Sequence, residues 1–167
     1  AALMAMRITR RNKVAVSASL HPHYRQVLDT HLAGLRAEIV TIPRGEDGRS
    51  ASVADFVDPD TAAVILQQPN FFGVLEDVDA VTDWAHANQM LVIAQVNPLA
   101  LALLKPPGEW GTEGADICCG EGQPLGAPLS SGGPYFGFMC CRKEHVRQLP
   151  GPETMAEAID AIVSHQP

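Results

Sequence analysis

The 167-residue chain lacks any apolar run long enough to cross a bilayer, which takes about 20 consecutive apolar residues in a helix. It also lacks a signal-peptide pattern, because Arg7, Arg10 and Arg11 follow the first apolar residues instead of preceding them. We therefore expect a cytoplasmic protein with no membrane partner. The apolar content of 46% is typical of soluble α/β proteins, and the length suits one domain with a sizeable core.

Basic residues are also scarce. Lysine and arginine together number 12 against 19 acidic residues, for a net charge of −7. A nucleic-acid partner requires a basic face, so this class of partner is not expected. The basic cluster at residues 7–13 is too short to reverse that expectation. We interpret it as the cationic C-terminal turn of a helix, where positive charge complements the helix dipole.

The four cysteines stand as two adjacent pairs, Cys118-Cys119 and Cys140-Cys141. Neighbouring residues of a strand point to opposite faces, so an adjacent pair does not readily chelate one ion. A metal or redox site would require a cysteine of one pair to meet a cysteine of the other across neighbouring strands. The pattern favours four small, buried, reduced core residues in a reducing compartment, and it predicts no metal site.

Short apolar or β-branched runs alternate with segments of helical spacing. The predicted strands are 13–17, 37–42, 61–67, 90–95, 114–120 and 135–142. The predicted helices are 1–11, 21–35, 78–88, 98–104, 144–148 and 152–164. This alternation indicates an α/β fold with three layers and a mostly parallel sheet of about six strands.

The second predicted helix has a recognisable start. Ser19 is a candidate N-cap, and Pro22 falls in the first turn. The apolar positions of this helix recur at helical spacing and are Tyr24, Val27, Leu28, His31 and Leu35.

A glycine-rich stretch from Gly114 to Met139 is the most informative part of the chain. Glycine lets backbone approach a ligand or another chain closely. In a parallel sheet, loops at the carboxyl ends of the strands meet at one edge and carry function. We therefore predict loops that contact a ligand or another chain; a tight loop that needs glycine only for its geometry is an equal alternative. The residues of these loops are Asn70, Asn97, Gly120, Glu121, Gly122, Gln123, Gly126, Ser130, Ser131, Gly132 and Gly133.

Other candidate sites have weaker support. His21 and His23 would make a metal pair only with further ligands, so a role at a helix start or on the surface is favoured. The glycines at 120, 122 and 126 do not match the dinucleotide-binding fingerprint. The sequence also shows no nucleophile, histidine and acid arranged for hydrolysis.

Four motifs carry a family resemblance. In order along the chain they are Leu20-His-Pro-His-Tyr-Arg25, Gln67-Gln-Pro-Asn-Phe-Phe-Gly73, Leu101-Ala-Leu-Leu-Lys-Pro-Pro-Gly-Glu109 and the glycine-rich stretch. Together they resemble the glycine decarboxylase P-protein of the glycine cleavage system, in the form of its non-catalytic subunit 1. The resemblance implies the large domain of the aspartate-aminotransferase-like, pyridoxal-phosphate (PLP) dependent fold, with the last strand antiparallel.

The resemblance covers residues 1–151, about a third of the family's subunit. Residues 152–167 match nothing in the family and are predicted to form a divergent helical tail. We therefore expect a truncated copy of the PLP-type large domain followed by this tail.

Catalytic subunits of this family carry a lysine for the cofactor imine and an acid for its pyridine nitrogen. Counting along the motifs places the lysine position on Pro124 and the acid position on Ala94. Proline cannot form an imine, and alanine cannot pair with a pyridinium. We therefore expect no catalytic or cofactor-binding residue in this chain, and no glycine decarboxylation by the chain alone.

By resemblance, the chain would serve glycine decarboxylation and aminomethyl transfer beside a lysine-bearing subunit that holds PLP, with the lipoyl carrier protein as a further partner. The alternative is a stand-alone, non-catalytic α/β protein that binds a small anion or a protein at the 120–133 loops. A homo-oligomer is also expected, because faces covered in the longer relatives would otherwise be exposed. Its contact would use residues 1–11 or the tail.

Overall fold

The computed structural model describes residues 1–130, 133 and 135–150. The predicted tail at 152–167 lies outside the described residues, as do Ser131 and Gly132. The helices are α1 (Ala2–Thr9), α2 (Pro22–Leu32) and α3 (Val78–Ala87). The strands are β1 (Lys13–Ser17), β2 (Glu38–Ile42), β3 (Thr61–Gln68), β4 (Leu91–Val96), β5 (Ile117–Glu121) and β6 (Gly137–Cys141).

The six strands form one sheet in the order β2-β1-β3-β4-β5-β6. Pairing is parallel from β2 through β5, and β6 pairs antiparallel to β5. The prediction of a mostly parallel sheet with an antiparallel last strand is therefore confirmed. The chain returns to the sheet's amino edge before each parallel strand, so the loops after β1, β3, β4 and β5 meet at the carboxyl edge.

Apolar side chains cover the sheet on both faces, which makes three layers. On one face, Met4 of α1, Leu32 of α2 and Leu20, which lies just before α2, pack against the sheet. On the other face, α3 packs Val78 and Ala85, and Trp110 from the β4–β5 connection joins them. Because β3 is buried on both faces, its sequence is an almost continuous apolar run instead of an alternating one.

Sequence reasoning placed the start of α2 almost correctly but chose the wrong cap. The N-cap is His21, whose Nδ1 accepts a hydrogen bond of 3.1 Å from the backbone N–H of His23. Ser19 is fully buried, and its hydroxyl has no hydrogen-bond partner among the described residues. The chain turns once more after Ser19 before the helix begins, with the Leu20 N–H donating to the carbonyl of Ser17.

The apolar stripe of α2 is only partly covered. Leu32 is the buried residue of this helix, while Tyr24, Val27 and Leu35 are exposed. The spacing of the apolar residues correctly predicted a helix. The spacing does not show which other residues cover the apolar face. In the described residues, the α2 stripe faces a cavity beside α1 and not a filled core.

Two short predicted helices are 3₁₀ in geometry, and the first of them is shorter than expected. The segment at 98–104 forms one 3₁₀ turn over Ala100–Ala102, and the segment at 144–148 lies in a 3₁₀ helix over Lys143–Gln148. The basic cluster behaves as predicted, since Arg7 lies in the last turn of α1 and Arg10 is its C-cap. No helix in the described part of the chain is both long and apolar enough to span a membrane.

A buried carboxylate ties the elements together at the amino edge of the sheet. Asp116 is 2% exposed and accepts hydrogen bonds from the Val92 N–H at 2.7 Å and from His86 Nε2 at 2.9 Å. Arg142 lies 3.4 Å from its other oxygen and also donates to the Gly114 carbonyl. One carboxylate therefore connects α3, β4 and the residue that follows β6.

We expect Leu66→Ala to lower the free energy of unfolding by about 2–5 kcal/mol, because the fully buried Leu66 lies in the central strand and its loss leaves a cavity. Urea unfolding followed by circular dichroism measures this change. Leu103, which is 92% exposed, supplies the matched control, and Leu103→Ala should stay within about 0.5 kcal/mol of wild type. Equal effects of the two substitutions would contradict the packing described here.

Candidate functional site

The carboxyl edge of the sheet carries a group of exposed apolar side chains, which we call the carboxyl-edge surface. They lie in the first turn of α2 and in the loops that follow β3, β4 and β5. The members are Tyr24, Phe71, Phe72, Leu99, Leu125, Leu129, Tyr135 and Phe136. Exposed aromatic and leucine side chains concentrated at one edge are typical of a surface that contacts another protein.

The loops after β1 and β3 are joined at this surface by hydrogen bonds and ring contacts. The Phe71 N–H donates to the Ser19 carbonyl at 2.9 Å, and the His21 N–H donates to Gln67 Oε1 at 2.8 Å. The His21 ring packs edge-on against Phe71, with 4.9 Å between ring centroids, and lies 4.8 Å from the Tyr24 ring. Two separate motifs of the sequence therefore form one aromatic cluster.

His21 and His23 both take part in the start of α2. The His21 Nδ1 atom is engaged with the His23 N–H, and the His23 side chain is exposed. Within residues 1–130, 133 and 135–150, no group of three histidine, cysteine or acidic side chains is placed to hold a metal ion.

Asn70 holds the aromatic loop from the inside. Asn70 is only 4% exposed. Its Oδ1 accepts hydrogen bonds from the N–H groups of Phe72 and Val74, each at 3.0 Å. Its Nδ2 donates to Glu76 Oε1 at 2.9 Å and to the Gly48 carbonyl at 3.0 Å. The amide is thus satisfied within the chain. Asn70 positions Phe71 and Phe72 at the surface instead of facing a partner itself.

Glu121 plays the matching role in the loop between β5 and β6. Its Oε1 accepts from the N–H groups of Gln123 and Phe136, each at 3.0 Å. The Gln123 side chain donates to the Ala127 carbonyl at 2.8 Å, which fixes the first turn of the loop. One carboxylate therefore ties together the two ends of this loop, where Leu125 and Phe136 are exposed.

Two glycines at the end of β5 and the start of this loop lie in close contact with their neighbours. A Cβ on Gly120 would overlap the Val96 carbonyl and the Phe138 ring, and one on Gly122 would overlap the Phe136 ring. Gly126 and Gly133 have positive φ angles of 115° and 75°, which L side chains rarely adopt. Ser130 is exposed, and its carbonyl accepts from the Gly133 N–H. Asn97 is exposed and accepts from the Leu99 N–H through Oδ1.

Two concave regions lie beside the carboxyl-edge surface and share Tyr24, Gln95 and Cys119. A cavity of about 460 Å³ lies between α1, α2 and the sheet, and a cleft of about 390 Å³ opens along the ends of β4, β5 and β6. The cleft also contacts Glu121 and Phe138. Burial raises the pKa of Tyr24, so its phenol stays protonated beside the cleft.

Neither family position for cofactor chemistry carries a suitable group. Ala94 is a fully buried methyl group in the middle of β4, and Pro124 lies in the 3₁₀ turn Gln123–Leu125. An imine requires a lysine amine, and the pyridine nitrogen of PLP requires an acid partner. The residues at these two positions therefore do not fit covalently held PLP.

The lysines of the chain lie elsewhere. Lys13 stands at the amino end of β1 and is paired with Asp58 at 2.6 Å, and this hydrogen bond raises its pKa. Lys105 is paired with Asp79 at 2.9 Å. Lys143 begins the 3₁₀ helix that follows β6 at the amino edge. None of the three replaces a lysine at the position of Pro124.

The prediction that all four cysteines are buried was wrong. Cys140 is exposed on the edge strand, and Cys118, Cys119 and Cys141 are half-buried. Burial raises the pKa values of Cys118, Cys119 and Cys141, in the case of Cys118 to about 12. Sequence spacing could not show which face of the edge strand would remain uncovered.

Solved structures match this architecture. A glycine decarboxylase (P-protein) of the glycine cleavage system, solved in inhibitor-bound form, superposes with a TM-score of 0.82 at 45% identity, covering 90% of this chain and 33% of that one. A putative O-acetylhomoserine (thiol)-lyase from Campylobacter jejuni, carrying a pyridoxyl-lysine phosphate, superposes with a TM-score of 0.64 at 16% identity, covering 92% and 36%. The chain thus has the aminotransferase-like fold of PLP-dependent proteins.

Sequence comparisons narrow this class to one family. The family model for the glycine cleavage system P-protein matches residues 1–154. A probable glycine dehydrogenase (decarboxylating) subunit 1 from Thioalkalivibrio sulfidiphilus is 59% identical over 157 residues, covering 90% of this chain and 35% of the relative. The chain belongs to the glycine cleavage system P-protein family. It spans about a third of the length of the relatives it matches.

We expect Asn70→Asp to destabilise the protein by about 3 kcal/mol at neutral pH, because it replaces a buried donor to Glu76 with a second carboxylate. Repulsion raises the folded-state pKa of this carboxyl pair above the unfolded value near about 4. The penalty is therefore smallest below about pH 4 and grows as the pH rises through the folded-state value.

Urea unfolding at several pH values measures this dependence. Asn97→Asp is the matched control, since Asn97 is exposed and the substitution keeps an acceptor for the Leu99 N–H. A pH-independent penalty for Asn70→Asp, or an equal penalty for both variants, would contradict the placement of Asn70 against Glu76.

Proposed function

We propose that this chain is the non-catalytic part of a glycine decarboxylase and acts by binding a lysine-bearing, PLP-holding subunit through its carboxyl-edge surface. One observation carries the proposal. The loops that carry the family motifs are ordered by hydrogen bonds at the carboxyl edge, whereas the two family positions for cofactor chemistry hold Ala94 and Pro124. A chain that presents the loops without the reacting groups suits a role beside a catalytic partner.

The chain on its own lacks the means to activate glycine. Loss of carbon dioxide from glycine requires an electron sink, which PLP supplies when it is bound to a lysine. In this chain Lys13 and Lys105 are held in ion pairs, and Lys143 lies at the opposite edge. We therefore assign the cofactor, the decarboxylation and the transfer of the aminomethyl group to the partner and its lipoyl carrier protein.

The contribution of this chain is to hold a rigid apolar surface against the partner. Asn70 and Glu121 fix the backbone of the two loops from within, so their exposed rings are ordered before binding. Order in the free state lowers the entropy cost of association. The predicted facing residues Gly120, Gly122 and Gly126 shape these loops, and Asn97 and Ser130 stand exposed at the same edge.

The alternative of a stand-alone module for small anions has less support. Glu121 and the polar but uncharged Gln95 line the cleft, together with apolar side chains. A carboxylate at the mouth repels an anionic ligand. An apolar surface that recognises protein fits the same residues better.

The proposal places the chain in the cytoplasm. In the described residues the four cysteines are unbridged, which suits a reducing compartment.

Reconstitution tests the proposed function. We expect the chain to co-elute with the lysine-bearing subunit of a related P-protein in size-exclusion chromatography. We also expect it to raise glycine decarboxylation by that subunit in the presence of PLP and lipoyl carrier protein. Phe72→Ser should lower the affinity for the subunit and the decarboxylation rate about tenfold or more, because aromatic anchors dominate protein interfaces. Phe72 is 53% exposed on the carboxyl-edge surface.

Phe56→Ser is the matched control for this experiment. Phe56 is 43% exposed and precedes β3 at the opposite edge of the sheet. It should leave binding and activity at the wild-type level. Failure of the wild-type chain to bind or activate the subunit, or equal losses for both variants, would overturn the proposal.

In the absence of its partner, we expect the chain to form a homodimer or higher oligomer, because the described residues leave the carboxyl-edge surface and the apolar cavity beside α1 uncovered. Static light scattering at micromolar concentrations measures the mass in solution. A clean monomer across the concentration series would refute self-association while leaving the reconstitution result to decide the partner.

A further inference from the structure

The antiparallel pairing of β5 with β6 sets Cys118 directly opposite Cys140. Side chains along a strand alternate between the two faces of the sheet, so this pair shares one face. The other two cysteines lie on the opposite face, where Cys119 is opposite Met139 and Cys141 is opposite Ile117. Packing agrees, since Cys118 contacts the α3-side core, whereas Cys119 and Cys141 contact the α1-side core.

The hydrogen-bond pattern defines the kind of pair that the two cysteines make. The bonds from the Arg142 N–H to the Asp116 carbonyl, at 2.9 Å, and from the Gly122 N–H to the Phe136 carbonyl, at 2.7 Å, mark hydrogen-bonded positions. Alternation along the ladder makes Cys118 and Cys140 a hydrogen-bonded pair, whose Cα atoms are about 5.5 Å apart. This separation lies within the range of about 4.4–6.8 Å found in disulfides.

A bridge at this position would form under strain. Directly opposite Cβ atoms are about 4.5–5.5 Å apart, whereas a relaxed disulfide needs about 3.8 Å. The edge strand must therefore move toward β5, and a bond made in this way is readily reduced again. These features favour a reversible bridge over a permanent structural one.

The two thiols differ in access. Cys140 is exposed on the edge strand and meets reagents in solution, while Cys118 is half-buried behind it. Burial, together with the Cys140 thiol opposite, raises the pKa of Cys118, so Cys118 stays in the thiol form. Cys140 is therefore placed to react first and Cys118 to close the bridge.

We propose that Cys118 and Cys140 form a dithiol modification site that a hydroperoxide oxidises to a reversible cross-strand disulfide. The Cys140 sulfur attacks the peroxide, the O–O bond breaks, and Cys140 becomes a sulfenic acid while an alcohol or water leaves with the thiol proton. The Cys118 sulfur then displaces the sulfenic oxygen, which leaves as water with the Cys118 proton. The thiols lose two electrons and the peroxide accepts them.

This site does not depend on the proposed function, because it needs only the β5–β6 register. The bridge would link the two strands that flank the 122–136 loop, because Cys118 lies in β5 and Cys140 in β6. Oxidation would therefore restrain the edge strand beside the carboxyl-edge surface.

Peroxide treatment of the purified chain tests the site. After blocking of free thiols and denaturation, cleavage after Glu121 separates Cys118 and Cys119 from Cys140 and Cys141. Mass spectrometry then detects a bridged pair of peptides. We expect wild type to lose two thiols, to form the bridge within one chain, and to recover both thiols with dithiothreitol.

Variants identify the pair. Cys140→Ser changes an exposed side chain and should abolish the bridge, and Cys118→Ser should leave Cys140 oxidised but unbridged. Cys119→Ala with Cys141→Ala is the matched control on the opposite face and should bridge as wild type does. A bridge that survives Cys140→Ser, a bridge lost in the control, or over-oxidation of wild-type Cys140 without a bridge would each overturn the proposal.

Discussion

Burial of the central strands on both faces of the sheet is the constraint on which the rest of this structure depends. Residues 61–66 of β3 are all buried, and most of β4 is buried as well. No polar side chain can be satisfied in the middle of such a sheet, so polar groups are displaced to the strand ends. The helices on either face follow from the same requirement, because each must bring an apolar stripe to cover the strands.

At the strand ends, single polar groups organise whole regions. Asp116 joins α3, β4 and Arg142 at the amino edge, while Asn70 and Glu121 hold the loops at the carboxyl edge. Each of these groups accepts several hydrogen bonds from backbone N–H groups or charged side chains. Removing one partner leaves the others unsatisfied, which is why such positions tolerate little change.

The chain shares a fold with PLP-dependent proteins and belongs to the P-protein family, yet its cofactor positions hold a methyl group and a proline ring. The sheet and its covering helices need only burial, so the fold does not by itself determine which side chains stand at such positions. The carboxyl-edge surface retains exposed rings such as Phe71 and Phe72. Exposed apolar side chains grouped in this way are typical of a surface that contacts another protein.

Sequence by itself determined the α/β class, the six strands and their order along the chain, because apolar runs bounded by glycine and proline are local signals. The resemblance to the family also predicted that β6 is antiparallel, and it mapped the family's lysine and acid positions onto Pro124 and Ala94. Only the tertiary structure decided that Asn70 faces inward and that His21, not Ser19, caps α2. It also decided that Cys118 meets Cys140 across two strands. These features depend on contacts between residues distant in the chain, and local spacing carries no information about which faces meet.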